Sequence, residues 1–210
     1  MRKQFLLGVF VVLASVFMVA CQKEVSVDTL GGNGGGGGGT NSTLIGSWKF
    51  IDMNVLSETT VEESDGALVA KATNLSDYVT RNNTGTISFS DTKMTYTGLG
   101  YSIVDTVLTK LYLNGLLVNE TETPFNFDVP PMSAENSYTR ISSDSLYFPT
   151  GGLTPSFNGG ASQPGGAKLR FEGNKLYMTT TGENTQTTVD QGVTTTQKVS
   201  VKAVITLQRQ

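Results

Sequence analysis

Apolar and polar residues alternate with a period of two along most of residues 44–210, which is typical of β-strands that bury one face. No segment shows a convincing amphipathic helical pattern. Segment 103–113 also fits helical spacing, but its β-branched residues favour a strand. The alternation predicts strands at 45–55, 68–73, 77–81, 84–89, 93–97, 101–113, 116–123, 125–129, 138–142, 145–148, 167–171, 175–181 and 193–207, the last as two strands or as one long strand.

Short polar turns separate neighbouring strands and predict that they form hairpins. The strongest signal is Asn114-Gly115 between two alternating segments, because both turn residues must adopt a positive φ. Further tight turns are predicted at 90–92, 143–144 and 172–174. Consecutive strands are therefore expected to pair in antiparallel fashion.

The predicted fold class is all-β, and the alternating segments together are expected to form about nine or ten strands joined by short hairpins. Strands in simple up-and-down order can close into an antiparallel β-barrel of about eight to ten strands, and closure removes the exposed edges that otherwise aggregate. A β-sandwich is the alternative, and Greek-key strand order would favour it. The Gly- and Pro-rich segment 150–166 is predicted to be a long loop.

The first 21 residues follow a different pattern. Arg2 and Lys3 precede an apolar run from 5 to 20, which ends at Ala20 directly before Cys21, the only cysteine. The run is shorter than the ~20 apolar residues of a spanning helix, and its flanks are typical of a secretory signal. The segment resembles a bacterial lipoprotein signal peptide, with Cys21 as the lipidated first residue of the mature protein. An uncleaved membrane helix is the alternative.

Three parts are therefore predicted along the chain. They are a signal peptide at 1–20, a lipidated Cys21 with a Gly-rich flexible linker at 21–43, and a folded domain at 44–210. The linker contains an unbroken run of glycines at 34–39, and such a run loses too much conformational entropy on ordering to join a core. It is expected to act as a flexible tether that holds the domain away from the membrane.

The resemblance to lipoproteins also implies a location. Lipid chains on Cys21 would make the membrane a partner of this protein, since several chains together anchor stably. Gln22, rather than Asp, follows the cysteine, and by resemblance this implies the outer membrane. Lys23-Glu24 is similar to the charged residues that follow the cysteine in lipoproteins displayed at the cell surface.

Composition excludes several classes of function. Removal of the signal leaves 13 of the 15 basic residues against 18 acidic ones, which argues against nucleic acid as a partner. The sequence contains no histidine, so Ser-His-Asp and Cys-His catalysis and His-ligated metal sites are excluded. We expect a protein that is not an enzyme and needs no cofactor or metal. A carbohydrate-active enzyme that uses Asp and Glu is the remaining catalytic alternative.

One short motif lies at the start of the first predicted strand. Gly46-Ser47-Trp48 resembles the Gly-x-Trp motif of lipocalins, and Arg209 follows the last strand. The resemblance implies that Trp48 plugs the closed end of a barrel and that Arg209 packs across it, which is a favourable cation–π contact. It also implies a small apolar ligand within the barrel.

Aromatic residues of the strands are candidates to line such a pocket. Small barrels can hold one small molecule, although the same residues also serve to fill a core. The candidate lining residues are Phe89, Tyr96, Tyr112, Phe125 and Phe127. The expected function is a lipid-anchored, lipocalin-like envelope lipoprotein that binds a small apolar ligand. The alternative is a structural or interaction module that contacts envelope proteins or glycans.

Overall fold

The computed structural model describes residues 44–151 and 164–210, and those residues form ten β-strands without a helix. The strands are β1 (Gly46–Ser64), β2 (Val69–Val79), β3 (Arg81–Phe89), β4 (Lys93–Leu113), β5 (Leu116–Ser137), β6 (Thr139–Ser142), β7 (Ser145–Phe148), β8 (Gly165–Glu172), β9 (Lys175–Asp190) and β10 (Val193–Arg209). The predicted signal peptide, Cys21 and the linker lie outside the described residues, as does most of the predicted loop at 150–166.

All strand pairs are antiparallel and belong to one ring-like, ten-stranded sheet. β2 and β3 follow each other directly along the chain and are separated only by Thr80. Both lie between β1 and β4 and pair with them in antiparallel fashion. The buried Thr80 hydroxyl accepts a hydrogen bond from the Met53 backbone N–H at 2.9 Å, which holds this break against β1. The strands thus follow one another as a meander, not as a Greek key.

The first and last strands pair with each other, from Trp48 opposite Arg209 to Ser64 opposite Thr194. β5 pairs only with β4, and β6 pairs only with β7. Tyr138 joins β5 to β6, and its ring packs against Phe89 and Phe148 at centroid distances of 6.0 and 5.9 Å. The predicted all-β, antiparallel fold class is confirmed.

The apolar core lies at one end of the sheet. The β1 residues of the core are Trp48, Phe50, Met53 and Val55, because an irregularity between Phe50 and Asp52 shifts the alternation by one residue. The most deeply buried core residues from the other strands are Ile87, Met94, Leu146, Phe148, Leu176, Met178, Ala203, Ile205 and Leu207. Beyond the core, the distal halves of the long strands carry mainly half-buried or exposed residues.

Turn chemistry explains the predicted hairpins. Asn114 and Gly115 have φ values of 48° and 81°, as the Asn-Gly turn requires, and Leu113 pairs with Leu116. The Asn114 side-chain oxygen also accepts a hydrogen bond from the Val69 N–H at 2.9 Å. The turn therefore fixes the β4–β5 hairpin and the start of β2 together.

Strand boundaries differ from the sequence-based expectation at several points. Segments 93–97 and 101–113 are one strand, β4, and 193–207 belongs to one strand, β10. The predicted end of a strand at Val129 is wrong, because β5 continues through Pro130 and Pro131. Proline lacks the N–H that a central strand needs, but β5 has a neighbour on one side only and tolerates it.

Candidate binding surfaces

The motif at the start of β1 forms a cluster with the end of β10. The Arg209 guanidinium carbon lies 5.1 Å from the centroid of the Trp48 indole, and Arg209 Nη2 donates a hydrogen bond to the Ile45 carbonyl at 3.0 Å. Trp48 is 1% exposed, and its Nε1 donates to the Leu44 carbonyl at 2.9 Å. The N–H of the indole is therefore hydrogen-bonded, and the arginine covers its ring. This arrangement suits a structural role at this end of the sheet.

Gly46 is required by this cluster for two reasons. Its φ of 129° is one that side-chain-bearing residues rarely adopt. A Cβ atom at this position would also lie 3.2 Å from Arg209 Nη2. The glycine thus leaves room for the arginine that covers Trp48.

One small space lies among six residues of the core. The centre of a water molecule could occupy about 10 Å³ among Phe50, Met53, Ile87, Leu99, Tyr101 and Ile205. A volume of that size is at the lower limit for holding a single water molecule. This part of the core is filled by its own side chains.

The five candidate pocket residues lie in different environments. Phe89 is 3% exposed and belongs to the core, and Tyr96 packs against the core while half-buried. Tyr112 points away from the core, on the opposite face of β4 from Ile103, and Lys71 Nζ lies 5.7 Å from its ring centroid. The five residues do not surround one space.

Phe125 and Phe127 lie on the exposed strand β5. Their rings stack with centroids 6.4 Å apart and an interplanar angle of 10°, and they are 40% and 53% exposed. Their register partners on β4 are Asp105 and Ile103, so they lie on the core-facing side of the sheet but beyond its packed part.

β5 carries an unusual share of exposed apolar surface. Six of the 13 large apolar residues that are exposed in the described part of the chain belong to this one strand. We call these residues the β5 surface: Leu116, Leu117, Val118, Phe125, Phe127 and Met132. These residues lie on an edge strand. The N–H and C=O groups along its outer edge have no strand partner among the described residues.

A groove of about 250 Å³ lies between β3, β4 and β5. Its floor is formed by residues 100–102 of β4, one wall by Asn82 and Thr84 of β3, and the other by residues 128–131 of β5. We call it the bulge groove, because the register is irregular on both sides of its floor. Arg81 to Thr84 oppose only Ser102 to Gly100, and Pro130 and Pro131 together oppose the single residue Gly100 between the neighbouring register pairs.

Three acidic residues lie at the end of β1 and in the turn that follows it. Glu62 and Glu63 are neighbours in β1, and adjacent strand residues point to opposite faces. Backbone hydrogen bonds from Leu68 and Ala67 lower the pKa of Asp65, which stabilises a turn. No group of three or more Cys, Asp or Glu side chains suited to a metal occurs in 44–151 and 164–210. In the same residues the structure contains no helix able to cross a membrane.

No protein-family model, no curated protein and no solved structure matches this chain. Function therefore has to be inferred from the geometry of the chain itself.

The residues of the bulge groove were not recognised as candidates in the sequence. A signal was present, since Asn82-Asn83 and Pro130-Pro131 interrupt the alternation, and glycine or proline within a strand marks a bulge or a close approach. The sequence did not show that the two interruptions lie at the same level of the sheet, on either side of Gly100.

Proposed function

We propose that this protein is a lipid-anchored lipoprotein of the outer membrane, with a non-enzymatic β-domain that binds a protein partner through the β5 surface. Cys21 and its preceding signal support the anchor, and the glycine run supports a tether that leaves the domain free to meet a partner. A lipocalin-like character of the domain is supported by the contact between Trp48, Gly46 and Arg209.

The exposed apolar edge of β5 carries the proposal. An exposed edge strand presents unpaired backbone groups that another strand can pair with, and proteins use this for recognition by strand addition. Pro124, Pro130 and Pro131 restrict such pairing along part of β5, whereas 116–123 contains no proline. A partner strand is therefore expected along 116–123, with apolar contacts extending to Phe125 and Phe127.

A ligand inside the core is the weaker candidate. The space of about 10 Å³ among the six core side chains would have to be enlarged by displacing them before any apolar molecule could enter. The β5 surface needs no such rearrangement, since its stacked phenylalanines are already exposed. Apolar recognition is therefore better assigned to the exposed edge strand β5 than to the core.

Photo-crosslinking in intact cells tests the proposal. A photoreactive amino acid replaces Phe127 in one variant and Val189 in a control, because Val189 is an isolated apolar residue, 70% exposed, on a stretch of β9 that pairs only with β10. We expect one discrete crosslinked product from position 127, weakened by Phe125→Ser, and none from position 189. Identical products from both positions, or no product from position 127, would contradict the proposal.

A further inference from the structure

The bulge groove lies where both neighbours of β4 are irregular at the same level. On β3, Asn82 adopts a φ of 52°, which is uncommon for a residue other than glycine. On β5, Pro130-Pro131 lies opposite Gly100. Bulges of this kind redirect side chains and are enriched beside functional sites. Two of them facing each other open the sheet locally.

The floor of the bulge groove depends on the absence of a side chain at Gly100. A Cβ atom there would lie 3.0 Å from Thr84 Oγ1 and 3.1 Å from the Pro131 backbone nitrogen. Since β3 and β5 flank β4, the groove is about two strand spacings wide, or ~10 Å. That width admits one small ring at a time.

Polar groups of the bulge groove are held in place on the solvent side. Ser102 lies between the buried Tyr101 and Ile103 along β4, so its hydroxyl points away from the core. Asn82 Nδ2 donates a hydrogen bond to Ser102 Oγ at 3.2 Å, and Asp128 is the register partner of Ser102 on the other side. Amide, hydroxyl and carboxylate groups therefore lie in one row across the groove.

The Asp128 carboxylate has no hydrogen-bond or ion-pair partner among the described residues, and it remains available to a ligand. None of the residues that line the groove is a lysine or arginine, and Arg81, the register partner of Ser102 on β3, is not among them. Pro130 and Pro131 add an apolar wall beside the row of polar groups. A site with acceptors, donors and an apolar wall, but no positive charge, suits a neutral molecule rich in hydroxyl groups.

We propose that the bulge groove binds one ring of a neutral saccharide, with Asp128 and Asn82 hydrogen-bonded to its hydroxyl groups. Asp128 accepts from two neighbouring hydroxyls, Asn82 donates and accepts, and the proline wall contacts the C–H face of the ring. This site is separate from the β5 surface and does not depend on the protein partner proposed for that surface.

Saturation-transfer difference NMR on the full-length protein tests this directly. The protein is kept in an amine-oxide detergent, whose headgroup contains no sugar, and the probes are the methyl glycosides of glucose, galactose, mannose and N-acetylglucosamine. We expect a difference signal from at least one probe, with a dissociation constant of about 1 mM, as suits a single ring held by few hydrogen bonds.

Three variants assign the signal to the groove. Asp128→Ala removes the carboxylate, and Asn82→Gly removes the amide while keeping a residue that tolerates the positive φ. Each is expected to weaken binding about tenfold, whereas Glu183→Ala, an exposed acidic position on β9, leaves it unchanged. Circular dichroism checks that all three variants are folded.

The proposal is overturned if none of the four glycosides gives a signal, or if the signal survives in the Asp128→Ala/Asn82→Gly double variant. In the first case the two bulges only shape the curvature of the sheet. Neither result bears on crosslinking at Phe127, so the two proposals fail independently.

Discussion

Arg209 covers the indole of Trp48, and the same two residues are register partners at the end of the β1–β10 pair. One contact thus joins the first and last strands of the sheet at the end where the core is packed. Because the guanidinium also donates a hydrogen bond to the Ile45 carbonyl, it holds the chain entering β1 as well as the strand itself.

Truncation of this arginine should destabilise the domain. We expect Arg209→Ala to lower the free energy of unfolding by about 1 kcal/mol, from the lost cation–π contact and hydrogen bond at an exposed site. Arg170→Ala is the matched control, since its guanidinium lies 4.1 Å from the Tyr177 ring centroid but its side chain is 59% exposed. Urea unfolding should show less than half the effect for Arg170→Ala, and equal effects would contradict a special role for Arg209.

Gly46→Ala should lower the stability of the domain for a reason unrelated to burial. The substitution forces a side chain into a φ of 129° and against Arg209, and we expect a loss of about 1–3 kcal/mol. Gly182→Ala is its control, because a Cβ there meets no atom within 4 Å and its φ is not positive. Urea unfolding should show this loss for position 46 and a change in the free energy of unfolding of less than ~0.5 kcal/mol for position 182. If Gly46→Ala leaves the free energy of unfolding unchanged, a side chain at position 46 does not clash with Arg209.

Truncation to alanine should reduce stability far more at Phe89 than at Phe127, although both were candidates to line a pocket. Phe89 is 3% exposed and packs on Tyr138, so Phe89→Ala is expected to lower stability by about 3–5 kcal/mol. Phe127 is 53% exposed, and Phe127→Ala should lower it by less than ~1 kcal/mol. Thermal unfolding measures both. A large loss from Phe127→Ala would show that its role is in packing and not in binding.

Alkaline conditions should weaken the fold through buried tyrosine. Burial raises the pKa of Tyr101 from its ordinary 10.0 to about 12, and it raises the pKa of Tyr78 further. The folded state holds these protons more tightly, so the contribution of Tyr101 to stability is complete below pH 10 and is lost as the pH rises through about 12. Urea midpoints measured across this range should fall less steeply for Tyr101→Phe. If the urea midpoint of Tyr101→Phe falls with pH as steeply as that of the unsubstituted protein, titration of Tyr101 does not cause the loss of stability.

Local chemistry made part of the fold predictable. The Asn114-Gly115 hairpin follows from two residues that tolerate positive φ, and the prediction needed no knowledge of distant strands. The all-β class follows in the same way from alternation with a period of two.

Features that depend on neighbouring strands were not predictable. Tyr96 packs against the core but Tyr112 points away from it, although both are even-numbered positions of β4, because an irregularity between Tyr96 and Leu99 reverses the alternation. Pro130-Pro131 was expected to end a strand, and only its position at a free edge lets β5 continue. The bulge groove arises from the registers of three strands at once, which no single segment encodes.

Mass analysis of the protein isolated from its own membranes tests the central claim most directly. We predict a mature chain that begins at Cys21, with residues 1–20 removed, a lipid linked to its sulfur and an acyl chain on its amino group. A chain that retains residues 1–20 and carries an unmodified Cys21 thiol would contradict the anchored domain on which the proposed function depends.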